Sequence, residues 1–273
     1  MKPLLLAGLL LLAAAAPAAA WDLDIGSAIG SVISIAQSIS INDEEEHAIG
    51  QQCAQQMLAQ HGLYQDARAQ YYVTLVGQAV LKSAPARPYP VEFAIINSGE
   101  VNAFACPGGP VLLTRGLWEQ LASEAELAGI LGHELAHVTQ RHAINEVKKT
   151  NLLSGISSEA LSQTGYGALA PVSEYIVKEL FAKGFSRDYE LEADRLGTAY
   201  AGALGYYPLG LAEFLDRCLG GSGERPSLVG ALYSTHPPVG ERVAALRAAV
   251  DPEQVAAAPQ LAERLLQWRT PAL

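Results

Sequence analysis

The run His133-Glu134-Leu135-Ala136-His137 places two imidazoles one helical turn apart with a carboxylate between them. Residues four apart on an α-helix share a face, so both rings can reach one Zn²⁺ at about 2.0–2.1 Å, the usual zinc–nitrogen distance. Glu134 stands off that line, where a general base is needed, and the chemistry this pattern serves is metal-assisted hydrolysis. The flanking residues predict the helix independently of the motif. Ser123 and Glu126 make a capping-box pair, and Leu127, Leu131, Leu135 and Val138 make an apolar stripe roughly opposite the histidines. One face is expected in the core and the other along a cleft. Taken alone, the five residues are also compatible with an ordinary surface helix.

Catalytic zinc generally keeps three protein ligands and one open position, so a third ligand is needed. The longer pattern HExxHxxGxxH does not supply it, because Gln140 holds the glycine position and Ala143 the final histidine position. His142 is expected to cap or pack near the helix end. A second helix offers Glu190 and Asp194, again one turn apart on one face. Glu190 would be the ligand, and Asp194 would accept a hydrogen bond from a ligand imidazole and fix its tautomer. An acidic run by itself is a solvated face; the HExxH motif is what gives this one a partner.

Four ordered blocks carry a resemblance: Asn102-Ala103-Phe104-Ala105-Cys106-Pro107-Gly108-Gly109, the HExxH helix, Ser186-Arg187 through Asp194, and Ser234-Thr235-His236-Pro237-Pro238-Val239-Gly240-Glu241-Arg242. Together they resemble the gluzincin metallopeptidases of the HtpX, BepA and LoiP type, a group that includes the CAAX prenyl proteases. The resemblance implies an α+β, mostly helical, zincin-like catalytic domain with a second ligand helix and a small β-sheet edge over the cleft. It implies one Zn²⁺ per chain on His133, His137 and Glu190, with substrate along an edge strand at Asn102, Ala103 and Phe104. It also brings His236 towards the metal, as an oxyanion donor or as a reversible fourth ligand of a latent state. Pro237 restricts His236 to extended backbone; the plainer alternative is a histidine flanking the last helix. Arg187 is expected to orient Asp194 or substrate.

The elements that must position these groups are readable in outline. Asn42-Asp43 before three glutamates is a helix start, with acids at the positive end of a helix running towards Gly62. A second helix covers the region of residues 66–82. Residues 91–96, 101–105 and 111–114 read as short strands separated by Ser98-Gly99 and Pro107-Gly108-Gly109. The Ser- and Gly-rich residues 150–184 are expected to be a mobile connection or lid, or a plain surface excursion with a short helix. The Glu190 helix should end at Gly205, followed by helices over 209–219 and 239–250.

The 273 residues, half of them hydrophobic, suffice for one catalytic domain with a sizeable core. A net charge of −10 disfavours a nucleic-acid surface and leaves no polybasic patch for anionic lipid. Lys2, the apolar run 4–16 and Ala18-Ala19-Ala20 form an export signal over residues 1–20, leaving 21–273 as the mature domain; an uncleaved anchor is the alternative. Residues 24–41 are too interrupted by Gly, Ser and Gln to span a membrane. Cys53, Cys106 and Cys218 would meet an oxidising compartment, where two can pair, although Cys106 also reads as a small apolar filler. No tandem helical extension is evident, which brings the chain nearer the single-domain LoiP-like members than BepA. The expected protein is an exported, periplasmic zinc endopeptidase acting on unfolded or misassembled envelope proteins, with peripheral contact to envelope assembly proteins or membrane. The alternatives are a client-binding protein with latent or blocked protease activity and a zinc hydrolase of non-peptide amides.

Overall fold

In a computed structural model, residues 40–219 and 239–269 are described. The export signal expected at residues 1–20 and the block Ser234 to Pro238, with His236, lie outside them. The chain opens with α1 (Asp43–His61), started by a capping box in which Asn42 Oδ1 accepts from Glu45 N and Glu45 Oε2 accepts from Asn42 N, both at 2.9 Å. Gly62 ends it at φ +73°. Next, α2 (Ala67–Leu81) is capped by Asp66. Strands β1 (Phe93–Ile96), β2 (Ala103–Ala105) and β3 (Val111–Thr114) are followed by the short α3 (Arg115–Gln120) and by α4 (Glu124–Thr139), the HExxH helix. After α5 (His142–Lys148) come α6 (Ser158–Thr164), α7 (Ala170–Tyr175), a π-helical turn Ile176–Leu180 and α8 (Phe181–Lys183). The last helices are α9 (Arg187–Gly202), α10 (Gly210–Leu219), α11 (Val239–Ala249), α12 (Pro252–Ala257) and α13 (Ala262–Arg269).

The sheet runs β1-β3-β2, with β1 parallel and β2 antiparallel to β3. It separates two cores, which is why its strands read as unbroken apolar runs rather than alternating ones. Phe93, Ile95, Val111 and Leu113 face a core shared with α2, α4, α9, α10, α11 and α13. Ile96, Phe104 and Leu112 face a second core under α1 and residues 153–181. The turn between β2 and β3 holds Gly108 at φ +68°, where an added Cβ would lie 2.3 Å from the His47 backbone.

Three expectations change here. Helix α4 has no exposed cleft face: all of its residues are buried, because α2, α9 and α10 all pack against it. Residues 150–184 form a largely helical layer, docked through Leu153, Leu169, Val172 and Ile176 onto Ile49 and Cys53 of α1. The Glu190 helix closes at Gly202, and the chain turns at Gly205 with φ +80°. None of the described helices is long and apolar enough to cross a membrane.

Helices α4 and α9 cross at glycines. A Cβ on Gly132 would lie 2.5 Å from the Gly197 carbonyl oxygen, and a Cβ on Gly197 would lie 2.4 Å from His133 N. Neither neighbour is a side chain that can swing away, so Gly197→Ala must force the helices apart. It is expected to destabilise the protein by about 1–3 kcal/mol. Urea unfolding measures this, and an unchanged midpoint would mean that the two backbones do not approach so closely.

Candidate metal centre

Helix α4 begins where Ser123 Oγ accepts from Glu126 N at 3.2 Å, while the Glu126 carboxylate accepts from Ala122 N at 2.7 Å. The reciprocal bond of a strict capping box is thus shifted back by one residue. Three turns later the helix aims His133 and His137 at each other, with their Nε2 atoms 3.0 Å apart. Helix α9 brings Glu190 to them, with Oε2 at 3.5 Å from His133 Nε2 and Oε1 at 3.5 Å from His137 Nε2. Donors that share one ion at about 2.0–2.1 Å in a tetrahedron stand roughly 3.3 Å apart. The triangle therefore has the size of a zinc site, and these three residues offer donor atoms all within 4.8 Å of one another.

Beneath the triangle, Asp194 Oδ1 lies 2.9 Å from His133 Nδ1. Asp194 is in turn gripped by Arg242 of α11, whose Nε and Nη2 donate to Oδ2 and Oδ1 at 2.8 and 2.6 Å. The third nitrogen of the same guanidinium, Nη1, lies 3.1 Å from Glu190 Oε2. His137 stacks on Phe185 with ring centroids 4.1 Å apart, and its Nδ1 lies 2.8 Å from His142 Nδ1.

Burial makes the electrostatics of this cluster strong. It disfavours the ionised form of Asp194, but the Arg242 guanidinium and the His133 ring outweigh it and hold the carboxyl at a pKa of about 2. It also works against a charged His133, and there the hydrogen bonds to Asp194 and Glu190 prevail and push the ring up to about 9. Among the described residues, the buried carboxylates of Asp194, Glu190 and Glu134 outnumber the one guanidinium of Arg242 and leave the pocket with a demand for a cation. A proton meets that demand on His133; a metal between the Nε2 atoms would meet it better, and the donor set fits one.

Glu134, 4% exposed, lines two narrow cavities. One is walled by Leu211, Phe214 and Arg242, the other by Asn102, Phe104, Leu180 and Phe185. Ala103 borders both, so β2 runs past the carboxylate. Thr114 N donates to Asn102 O, and Cys106 N donates to Pro110 O. In an antiparallel ladder this alternation turns the amides and carbonyls of Ala103 and Ala105 outward, along the edge of β2 that no other described strand pairs with. Of the residues expected to touch substrate, Phe104 instead packs its ring on Phe181 at 5.0 Å, and Asn102 Oδ1 accepts from Ala103 N at 2.9 Å.

Arg187 requires a correction. It stands exposed at the start of α9, paired with Glu241, and the contact to Asp194 expected of it is made by Arg242. The sequence also carried no sign that His142 and Phe185 would meet His137. The cysteines are all thiols rather than a disulfide plus one, and burial pushes the Cys53 and Cys106 thiols up, which suits inert core filling.

Comparison with known proteins agrees with this geometry. The Beta-barrel assembly-enhancing protease of Yersinia pestis is 29% identical over 208 residues, 71% of this chain and 40% of the relative. Its namesake in Escherichia coli (strain K12) is 28% identical over 225 residues, 79% of this chain and 42% of the relative. The chain thus spans about two-fifths of the length of these relatives. Metalloprotease YcaL of Escherichia coli (strain K12) is 28% identical over 233 residues, 82% of this chain and 87% of the relative. The profile of Peptidase family M48 matches residues 67–250, a span that holds the HExxH helix, Glu190, Asp194 and Arg242, and the chain belongs to that family.

Proposed function

We propose that the chain is an exported zinc-dependent endopeptidase that cleaves unfolded or misassembled proteins of the cell envelope. In this reading residues 1–20 are the export signal and 21–273 the mature catalytic domain, working in the periplasm of a Gram-negative cell. The observation that carries the proposal is the buried triangle of His133, His137 and Glu190 donors beside Glu134 and the edge of β2 that no other described strand pairs with. Relatives named for β-barrel assembly support envelope proteins as the substrate class.

His133, His137 and Glu190 would hold the zinc. When bound, it supplies Lewis acidity, making water a competent nucleophile near neutral pH and polarising the scissile carbonyl. Asp194 keeps His133 in the Nδ1–H tautomer and leaves the Nε2 lone pair for the ion. Arg242 neutralises part of the charge on Asp194 and Glu190 and fixes both carboxylates. The outward carbonyl of Ala103 and the amide and carbonyl of Ala105 can pair with an extended peptide, giving affinity without side-chain specificity. Glu134 takes the proton of the attacking water and delivers it to the leaving amine. His236 is assigned the oxyanion donor or a reversible fourth ligand, from the resemblance alone.

The burial of Glu134 favours a second reading, a client-binding protein whose protease activity is held latent. Purified residues 21–273 incubated with a denatured protein separate the two. Endoproteolysis that stops on chelation, returns with zinc and is absent from Glu190→Ala supports the enzyme. Glu190→Ala should also fail to retain one zinc per chain by metal analysis. Binding of the denatured protein without cleavage in any zinc-loaded sample would support the latent reading instead.

A further inference from the structure

The two imidazoles of the centre are braced differently. His133 rests on a carboxylate, whereas His137 Nδ1 meets another imidazole nitrogen, His142 Nδ1, at 2.8 Å. His142 is 1% exposed, and its far nitrogen, Nε2, lies 3.3 Å from Glu192 Oε2 on α9. Its ring is clamped against Tyr189, with centroids 4.2 Å apart and planes within 14°. The chain reaches this arrangement through Arg141, a non-glycine residue at φ +59° in the turn between α4 and α5. That conformation is costly for a side-chain-bearing residue and persists only when its surroundings impose it. They do so here: Arg141 Nη2 donates to Ile41 O at 2.7 Å, and its Nε lies 2.6 Å from the buried Glu46 carboxylate.

With both imidazoles neutral, one assignment of protons satisfies this row. Glu192 can only accept, so His142 carries its proton on Nε2 and offers the Nδ1 lone pair. His137 must then carry its own proton on Nδ1, which leaves the lone pair of Nε2 pointing into the triangle. We propose that His142 is the positioning residue for His137, with Glu192 and the strained Arg141 turn setting the His137 tautomer that metal binding requires. This rests on the metal-binding reading above. It goes beyond that reading by adding a second brace, made from a neutral acceptor, to a centre whose other brace is a carboxylate.

Side-chain isosteres test it, because an Asn amide can place its oxygen where Nδ1 of a histidine stands, whereas a Gln amide reaches only the Nε2 position. Zinc affinity is read by competition with a chromogenic chelator, with the thermal midpoint of each metal-free variant as the control for folding. His142→Ala should weaken zinc binding by about 10–100-fold, the usual effect of removing a partner of a ligand histidine. His142→Asn should recover most of that loss and His142→Gln little of it. Nitrogen chemical shifts of His137 in the metal-free protein provide an independent readout: Nδ1–H in the wild type and in His142→Asn, mixed tautomers in His142→Ala. Zinc affinity within twofold of wild type in His142→Ala, or equal rescue by Gln and Asn, would overturn the proposal. If the wild-type protein bound no zinc, the metal reading would fail, and a His137 tautomer unaffected by His142→Ala would still decide against His142.

Discussion

Glu134→Gln is expected to retain zinc and fold while losing hydrolysis by about 10²–10⁴-fold, the usual contribution of a positioned general base. The amide has the shape of the carboxylate, so it still fits between the two narrow cavities bordered by Ala103. It cannot accept the proton of the attacking water. Because Glu134 is neither of the imidazoles nor the Glu190 carboxylate, the donor triangle is untouched. The loss should therefore fall on kcat, with KM for a denatured protein nearly unchanged, since peptide binding uses the β2 backbone. At 1.36 kcal/mol per decade the deficit is roughly 3–5 kcal/mol of transition-state stabilisation. Zinc-loaded Glu134→Gln that cleaves within about tenfold of wild type would remove Glu134 from the role of base.

What the sequence revealed of the centre is what helical periodicity can carry. His133 with His137, and Glu190 with Asp194, each sit one turn apart, and a spacing of four states which face they share. The apolar strands were legible for a similar reason, and β3 falls on the expected residues 111–114. Contacts made by packing between helices were not legible. Arg187 and Arg242 look equivalent beside an acidic helix, but Arg187 lies seven residues from Asp194 on the same helix, about 10 Å along its axis. Arg242 arrives from a different helix that packs on α9. The full burial of α4 did leave a signal. Between Glu126 and Thr139 the only ionisable side chains are His133, Glu134 and His137, with no lysine or arginine to face water. His142 was hidden because its role depends on the left-handed turn at Arg141, which nothing in the local sequence announces. Helix α13 was missed as well: Leu265 is its one buried residue, and Arg269 holds it by donating to the Leu121 carbonyl at 2.7 Å.

Arg242→Ala should be the most destabilising change in the centre. Removing one partner of a buried ion cluster typically costs about 3–5 kcal/mol, because the remaining charges stay desolvated without compensation. Here two carboxylates would be stranded: Asp194, 2% exposed, and Glu190, 0% exposed. For a protein of this size that corresponds to a fall in Tm of roughly 10 °C. The metal-free protein is the form to measure, since bound zinc would mask the effect by stabilising the folded state. Arg242→Lys restores charge but not the fork that spans both carboxylates, so it should recover only part of the loss. The pH dependence separates this account from a simple cavity. Arg242, with His133, holds Asp194 at about 2, below the ordinary value of an aspartate. A depressed carboxylate stabilises the fold above its unfolded-state pKa, about 3.9, and that contribution is lost as pH falls towards the folded value. The stability gap between wild type and Arg242→Ala should accordingly be widest near neutrality and narrow as the pH is lowered from about 4 towards 2. A cavity left by a deleted side chain would open a gap that does not depend on pH in this window. A gap below about 1 kcal/mol at neutral pH, or one that stays constant down to pH 3, would show that the guanidinium does not hold these carboxylates together.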